Sequence, residues 1–173
     1  MRARSQAQRI TLAAVCASMV FLGTFWIRIN SPIGIMHVGD GVIFMVAAVL
    51  DPVSAMFAAA IGSALANLAG AGGPIFIPAT LISKGLLAYF AAVAIRRIKN
   101  HAALVGAFFA LQFVLVLCLY FVYQAFIFSP AAAIGHLVPF AILQNLLGVT
   151  LGAIVVPVMK KINLNLENYY DNG

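Results

Sequence analysis

The sequence predicts an all-α integral membrane bundle of six transmembrane helices, with N- and C-termini cytoplasmic. Three observations carry this. First, 64% of the 173 residues are apolar and 8% are charged, against about 25% charged in a soluble domain; mean hydropathy is +1.08. Second, the apolar residues fall in six runs closed by Pro, Gly or charge, and the length suits about six spans of roughly 20 residues each. Third, the basic residues stand at the ends of these runs. The net charge of +6 therefore reads as membrane topology, with the lipid bilayer as partner and no nucleic acid. Residues 1–173 make one domain. Cys16 and Cys118 both lie inside apolar runs and build neither a disulfide framework nor a metal cluster.

The first run, residues 10–29, follows Arg2, Arg4 and Arg9. It exceeds the 7–15 residues of a signal-peptide core and lacks Ala-x-Ala cleavage chemistry, so it reads as a true span. The second, residues 41–50, stops at Asp51-Pro52. As a helix it covers about 16 Å, half the hydrocarbon core, and is either tilted and kinked or surrounded by protein. The third, residues 53–69, ends in Gly70-Ala71-Gly72-Gly73-Pro74. The fourth, residues 78–95, is closed by Arg96-Arg97-Ile98-Lys99-Asn100, and the fifth, residues 102–128, by Ser129-Pro130. The sixth, residues 137–159, precedes Lys160-Lys161. Pro52 and Pro78 suit the first turn of a helix, where the missing N–H costs nothing.

With a cytoplasmic N-terminus, Arg2, Arg4, Arg9, Arg96, Arg97, Lys99, Lys160 and Lys161 all fall inside, as the positive-inside rule requires. Trp26 then meets the outer interface. Polar side chains collect in the outer half. Lys84 lies six residues into the fourth run, either snorkelling outward or contacting a ligand or counter-ion in the bundle. Asp40 opens the second run as a helix N-cap, a position that can also face a ligand. Asn67 shares a helix face with Ser63, and Asn145 stands beside Gln144. Tyr123 and Gln124 approach the outer end of the fifth run; His37 and His136 precede the second and sixth. Asp40, Asn67, Lys84 and Asn145 come from four helices at a common depth, which points to a pocket open to the outside rather than to isolated interhelical hydrogen bonds. Trp26, Phe44, Phe76, Tyr89, Tyr120, Tyr123 and Phe140 can add aromatic faces suited to a flat heterocycle. Residues 30–39 and 70–77 carry apolar side chains among turn residues and read as lids or as turns dipping into headgroups.

Small residues recur at four-residue spacing, which lets helices approach closely in lipid. Ala13 and Ala17 form one pair, with Ala14 and Ser18 beside it; Ala58, Gly62, Ala66 and Gly70 continue on the third run, and Gly148 and Gly152 on the sixth.

The stretches His37-Val38-Gly39-Asp40-Gly41-Val42-Ile43-Phe44, Asp51-Pro52-Val53-Ser54-Ala55, Ile61-Gly62-Ser63-Ala64-Leu65-Ala66-Asn67-Leu68 and Pro78-Ala79-Thr80-Leu81-Ile82-Ser83-Lys84-Gly85-Leu86 cover about a third of the chain. On these residues it resembles the substrate-binding S components of energy-coupling factor (ECF) vitamin transporters. The resemblance implies a multi-pass protein of a bacterial cell membrane that captures a small-molecule vitamin from outside. It further implies docking on a T component and two ABC ATPase subunits, with Ala13 and Ala17 at the partner-binding face. No Gly-x-x-x-x-Gly-Lys-[Ser/Thr] loop is present, so ATP is hydrolysed by the partners and no cofactor is expected in this chain. The branch resembled takes pyridoxine or hydroxymethylpyrimidine; related S components take riboflavin, cobalamin or folate. Asp40, Asn67, Lys84 and Asn145, with Tyr123 and His37, would suit a small hydroxylated heteroaromatic ring, and a single Lys without a pocket Arg disfavours folate. The chain carries no His-Glu-x-x-His, paired acids or Ser/His/Asp set within its apolar runs, which argues against an enzyme. A stand-alone carrier is the other alternative, although no inverted repeat supports it.

Overall fold

The computed structural model of the chain describes residues 6–31, 34–136 and 141–171. Arg2, Arg4, Phe140 and the beginning of the sixth apolar run lie outside these residues. Five helices are long and apolar enough to cross a membrane: Gln6–Phe25, Pro52–Ala71, Pro74–Arg97, His101–Ile127 and Ile142–Ile162. A shorter apolar helix, Gly39–Val49, completes the six.

That short helix, α2 (Gly39–Val49), explains the architecture. It is apolar all round because it is surrounded by protein: Ile43, Phe44, Val46 and Ala47 are fully buried. It packs against α8 (Ile142–Asp171), α4 (Ile77–Arg97), α1 (Gln6–Phe25) and α3 (Pro52–Ala66). Gly41 admits Leu151, and Gly152 admits the Phe44 ring. The Phe44 ring also stacks on Phe108 of α5 (His101–Leu111), with centroids 4.2 Å apart.

The two ends of α2–α3 show how polar backbone is satisfied. Arg96 Nη2 donates to the Leu50 carbonyl at 2.6 Å, and Nη1 donates to Ala92 at 2.7 Å and Ala47 at 3.3 Å. The last carbonyls of α2, which a helix cannot pair internally, are thus held by one guanidinium. Asp51 caps α3, accepting from Ser54 N at 3.1 Å, with Pro52 in the first turn. Arg9 and Leu50 border a common recess, and Lys160 lies within electrostatic reach of Arg96. The described basic residues Arg9, Arg96 and Lys160 therefore share one end of the bundle, as the topology requires.

Four features depart from the sequence reading. The first run does not remain helical to residue 29: α1 stops at Phe25, and an antiparallel hairpin follows. Its strands are β1 (Arg28–Ser31) and β2 (Gly34–His37), with Arg28 opposite His37. Apolar content alone does not separate helix end from strand. The fifth span divides into α5, a π-helical segment Gln112–Cys118 and α6 (Leu119–Ile127). Beyond it comes a short α7 (Pro130–His136) that the hydropathy pattern does not mark. α3 likewise ends in a π-type turn, Asn67–Ala71, broken at Gly70 with φ +103°; such insertions gather at functional sites.

The small-residue spacing serves packing within the bundle on α3 and α8. A side chain at Gly62 would run into the Ala17 carbonyl oxygen. At Gly148 an added Cβ would lie 2.6 Å from Gln112 Nε2 and 2.8 Å from Asp40 Cβ.

Candidate ligand-binding site

A cavity of about 340 Å³ opens at the end of the bundle away from Arg9, Arg96 and Lys160. His37, Asn67, Lys84 and Asn145 all line it, as does Gln144. Its aromatic lining is Phe76, Tyr120, Phe121 and Phe128. Four of the six side chains expected at a ligand thus meet at one hollow. Asp40 stands behind Lys84 rather than on the wall, and Tyr123 is turned aside.

Asp40 is not the N-cap of α2. The helix begins one residue earlier, at Gly39, and Val38 in the cap position makes no side-chain bond. The carboxylate instead meets Lys84 Nζ at 2.6 Å, and both side chains are almost wholly out of solvent. Lys84 therefore does not snorkel; it is an intrahelical-bundle counter-ion that also reaches the cavity. Gln144 Nε2 donates to the second Asp40 oxygen at 3.3 Å and lies 3.4 Å from His37 Nε2. His37 Nδ1 accepts the Gly39 N–H at 3.2 Å. Burial pulls the imidazole of this hairpin residue down to about 4, with Asp40 acting in the opposite sense, so the ring is neutral at pH 7.

A second polar chain crosses the site. Asn67 Nδ2 donates to Thr80 Oγ1 at 2.6 Å, and the Thr80 and Tyr120 hydroxyls share a short hydrogen bond. Lys84 Nζ sits 5.6 Å from the Tyr120 ring centroid, within cation–π range. Asn145 Nδ2 donates to the Ala141 carbonyl at 2.7 Å, which leaves its buried Oδ1 without a protein partner. A buried acceptor of this kind is satisfied by water or ligand, and Asn145 is among the residues that line the cavity.

Residues of both outer loops border this space: His37 of the hairpin, and Ala71, Gly72 and Phe76 of the 70–77 segment. Phe76, on the 3-10 turn Pro74–Phe76, lies 6.4 Å from Tyr120 and 6.1 Å from Phe128 between ring centroids. Tyr123 donates its hydroxyl to the Ile75 carbonyl, so it braces this loop instead of lining the cavity. Arg28 ties the hairpin to the same region through the Gly70 carbonyl at 3.0 Å. Of the other aromatic candidates, Trp26 is exposed, Phe44 belongs to the core, and Tyr89 packs edge-on against Phe90. Phe121, Phe128, and Ala132 and Ala133 of α7 are lining residues that the sequence reading missed. The available signal was the i, i+4 series Val116, Tyr120, Gln124, which puts one face of α6 and its preceding turn on the cavity.

Ala13 and Ala17 are half-buried against the core, remote from this cavity, while Ala14 and Ser18 are exposed on α1.

The model of one protein family, described as ECF-type riboflavin transporter, S component, matches residues 4–161. That is the S-component class, but it is not the pyridoxine or hydroxymethylpyrimidine branch suggested by the short motifs. No curated protein and no solved structure matches the chain. With the match spanning nearly all of a helical membrane bundle that holds a polar and aromatic cavity, the chain belongs to the ECF-type riboflavin transporter S component family.

Proposed function

We propose that this chain is the vitamin-capturing subunit of an ECF importer in a bacterial cell membrane, and that its cavity takes a flat heteroaromatic vitamin, riboflavin ahead of pyridoxine or hydroxymethylpyrimidine. The observation that carries this is the cavity itself. Its volume, about 340 Å³, falls in the usual range for small-molecule sites. Phe76 and Tyr120 offer ring faces, while Asn67, Asn145, Lys84 and His37 offer polar atoms around them. A fused ring system uses both the aromatic span and the dispersed donors and acceptors; a single small ring leaves much of the lining uncontacted. The family's description names riboflavin and supports the same order.

In this reading the chain binds and does not catalyse. The ligand passes to a T component, and two ABC ATPases supply the hydrolysis. Both termini lie in the cytoplasm, and the cavity opens outside. The test is ligand identification by mass spectrometry after denaturing the purified protein, followed by titration with riboflavin, pyridoxine and hydroxymethylpyrimidine. Riboflavin is expected to bind most tightly. Tighter binding of a single-ring compound reverses the order, and failure of all three ends the heteroaromatic reading. Copurification with a T component and ATPases distinguishes an importer subunit from a stand-alone carrier.

A further inference from the structure

We propose that Asp40 sets the charge preference of the cavity: by neutralising Lys84, it makes the site select an uncharged ring compound over the phosphate ester of the same compound. This deepens, and rests on, the heteroaromatic reading above.

Among the described residues that line the cavity, Lys84 is the one Lys or Arg side chain, and no carboxylate lines it. Gln144 and Asn145 line the same cavity, and Gln144 bonds the carboxylate that holds Lys84. An ammonium with an amide donor close by is the chemistry of a phosphate site. Asp40 changes that. Its Oδ1 holds Lys84 Nζ at 2.6 Å and its Oδ2 accepts from Gln144 at 3.3 Å, so one buried carboxylate occupies the ammonium and an amide donor together. An ion pair has no net charge, and its field falls off faster than that of a lone ammonium. A phosphate brought here would lose its hydration without a free cation to replace it, and would stand close to a carboxylate. A neutral ring carries no such cost and still meets the remaining Lys84 protons.

The position of Asp40 is built in. Gly148 leaves room for the Asp40 Cβ against α8; a Cβ on Gly148 would lie 2.8 Å from it. The α2 backbone around it is packed on all sides, with Gly39, Asp40 and Gly41 buried.

The test uses the purified full chain in detergent at pH 8, where an ordinary imidazole with pKa of about 6.5 is neutral and the Lys84–Asp40 pair alone sets the charge. Riboflavin is compared with riboflavin 5′-phosphate, and pyridoxine with pyridoxine 5′-phosphate, by calorimetric titration. In the wild type the free ring compound of the binding pair is preferred by about tenfold or more, the worth of one charged contact. Asp40→Asn keeps an acceptor for the ammonium but removes the negative charge, and is expected to cut that preference by about tenfold. Asp40→Asn combined with Lys84→Gln restores it. Should Asp40→Asn not fold, Lys84→Gln reads the same effect with opposite sign, widening the preference for the free compound. Equal wild-type affinity for ester and free compound overturns the proposal, as does a ratio that the variants leave unchanged. If none of the four compounds binds, this proposal fails, and the heteroaromatic reading fails with it when hydroxymethylpyrimidine does not bind either; binding with an unmoved ratio removes this proposal alone.

Discussion

Lys84 Nζ lies 2.6 Å from Asp40 Oδ1, joining α4 to α2 in a place almost closed to solvent. Forty-four residues separate the two in sequence. Removing one member of a buried pair leaves the other charge uncompensated, at a cost of about 3–5 kcal/mol, whereas replacing both is often neutral. Lys84→Met is therefore expected to lower the thermal stability of the purified protein markedly. The double variant Lys84→Met with Asp40→Leu should regain most of the loss, as read by a thermal unfolding series in detergent. A loss in the double variant equal to the sum of the two single losses would show that the two side chains contribute independently.

Asn145 supplies the complementary ligand test. Its Nδ2 is engaged by Ala141, its buried Oδ1 has no protein partner, and the residue lines the cavity. Asn145→Ala should weaken vitamin binding by roughly 5- to 150-fold, the value of a buried hydrogen bond of about 1–3 kcal/mol. Stability should change little. Asn67→Ala should also weaken binding, with some loss of order around Thr80 and Tyr120, because it removes the 2.6 Å bond to Thr80. An unchanged dissociation constant in both variants would falsify the assignment of this wall to the ligand.

The spans were legible because hydropathy runs in a bilayer are long and their Pro, Gly and Arg breaks are sharp. That Asn67, Lys84 and Asn145 share one level of the bundle, with Asp40 on Lys84, was legible too, since rise per residue converts position along a helix into level. Azimuth was not. Tyr123 and Gln124 are neighbours in sequence, yet Gln124 faces the cavity and Tyr123 reaches Ile75, a separation set by the rotation of α6. The π-helical segment Gln112–Cys118 shifts that rotation further and carries no compositional mark. The pairing of Asp40 with Lys84 depends on how two helices turn toward each other, so the sequence allowed Lys84 a counter-ion in the bundle without naming Asp40 as that partner. The hairpin after Phe25 was hidden by Trp26 and Ile27, which extend the apolar run past the helix.

Arg96 tests the closing of α2. Its guanidinium bridges the Leu50, Ala47 and Ala92 carbonyls. A fork of donors on a planar group is needed for this; an ammonium is a point. Arg96→Met should destabilise the bundle by about 1–3 kcal/mol, since the carbonyls lose their donors, and Arg96→Lys should recover only part. Full recovery by Lys would show that charge near the helix end suffices.

Asp51 offers a pH-dependent test outside the spans. Hydrogen bonding from Ser54, together with nearby backbone N–H groups, holds its carboxyl below the usual carboxylate range. Because the folded pKa is depressed, the cap stabilises fully above the unfolded value of about 3.9 and its contribution fades as pH falls through the lower folded value. Asp51→Ala should cost about 1 kcal/mol at pH 7, and Asp51→Asn much less. The gap between wild type and Asp51→Ala should shrink in unfolding curves taken below pH 4.

The last prediction separates packing from assembly on α1. A side chain on Gly62 of α3 would meet the Ala17 carbonyl, and Ala13 and Ala17 are half-buried against the core. One position round the helix, Ala14 and Ser18 are exposed, with Ser18 Oγ turned back onto the Ala14 carbonyl at 3.0 Å. An indole at a half-buried alanine overpacks the α1–α3 contact, at a cost of about 1–3 kcal/mol. Ala13→Trp and Ala17→Trp should therefore lower the stability of the isolated protein as well as its assembly with the T component and ATPases. Ala14→Trp and Ser18→Trp should leave thermal stability and vitamin affinity as they are, because their side chains leave the bundle. If this small-residue face docks on a partner helix, close approach is lost in these two variants as well, and copurification of the complex and vitamin uptake both fall. Normal assembly in the exposed pair, with failure in the half-buried pair tracking lost stability, would assign the alanines of α1 to the bundle alone.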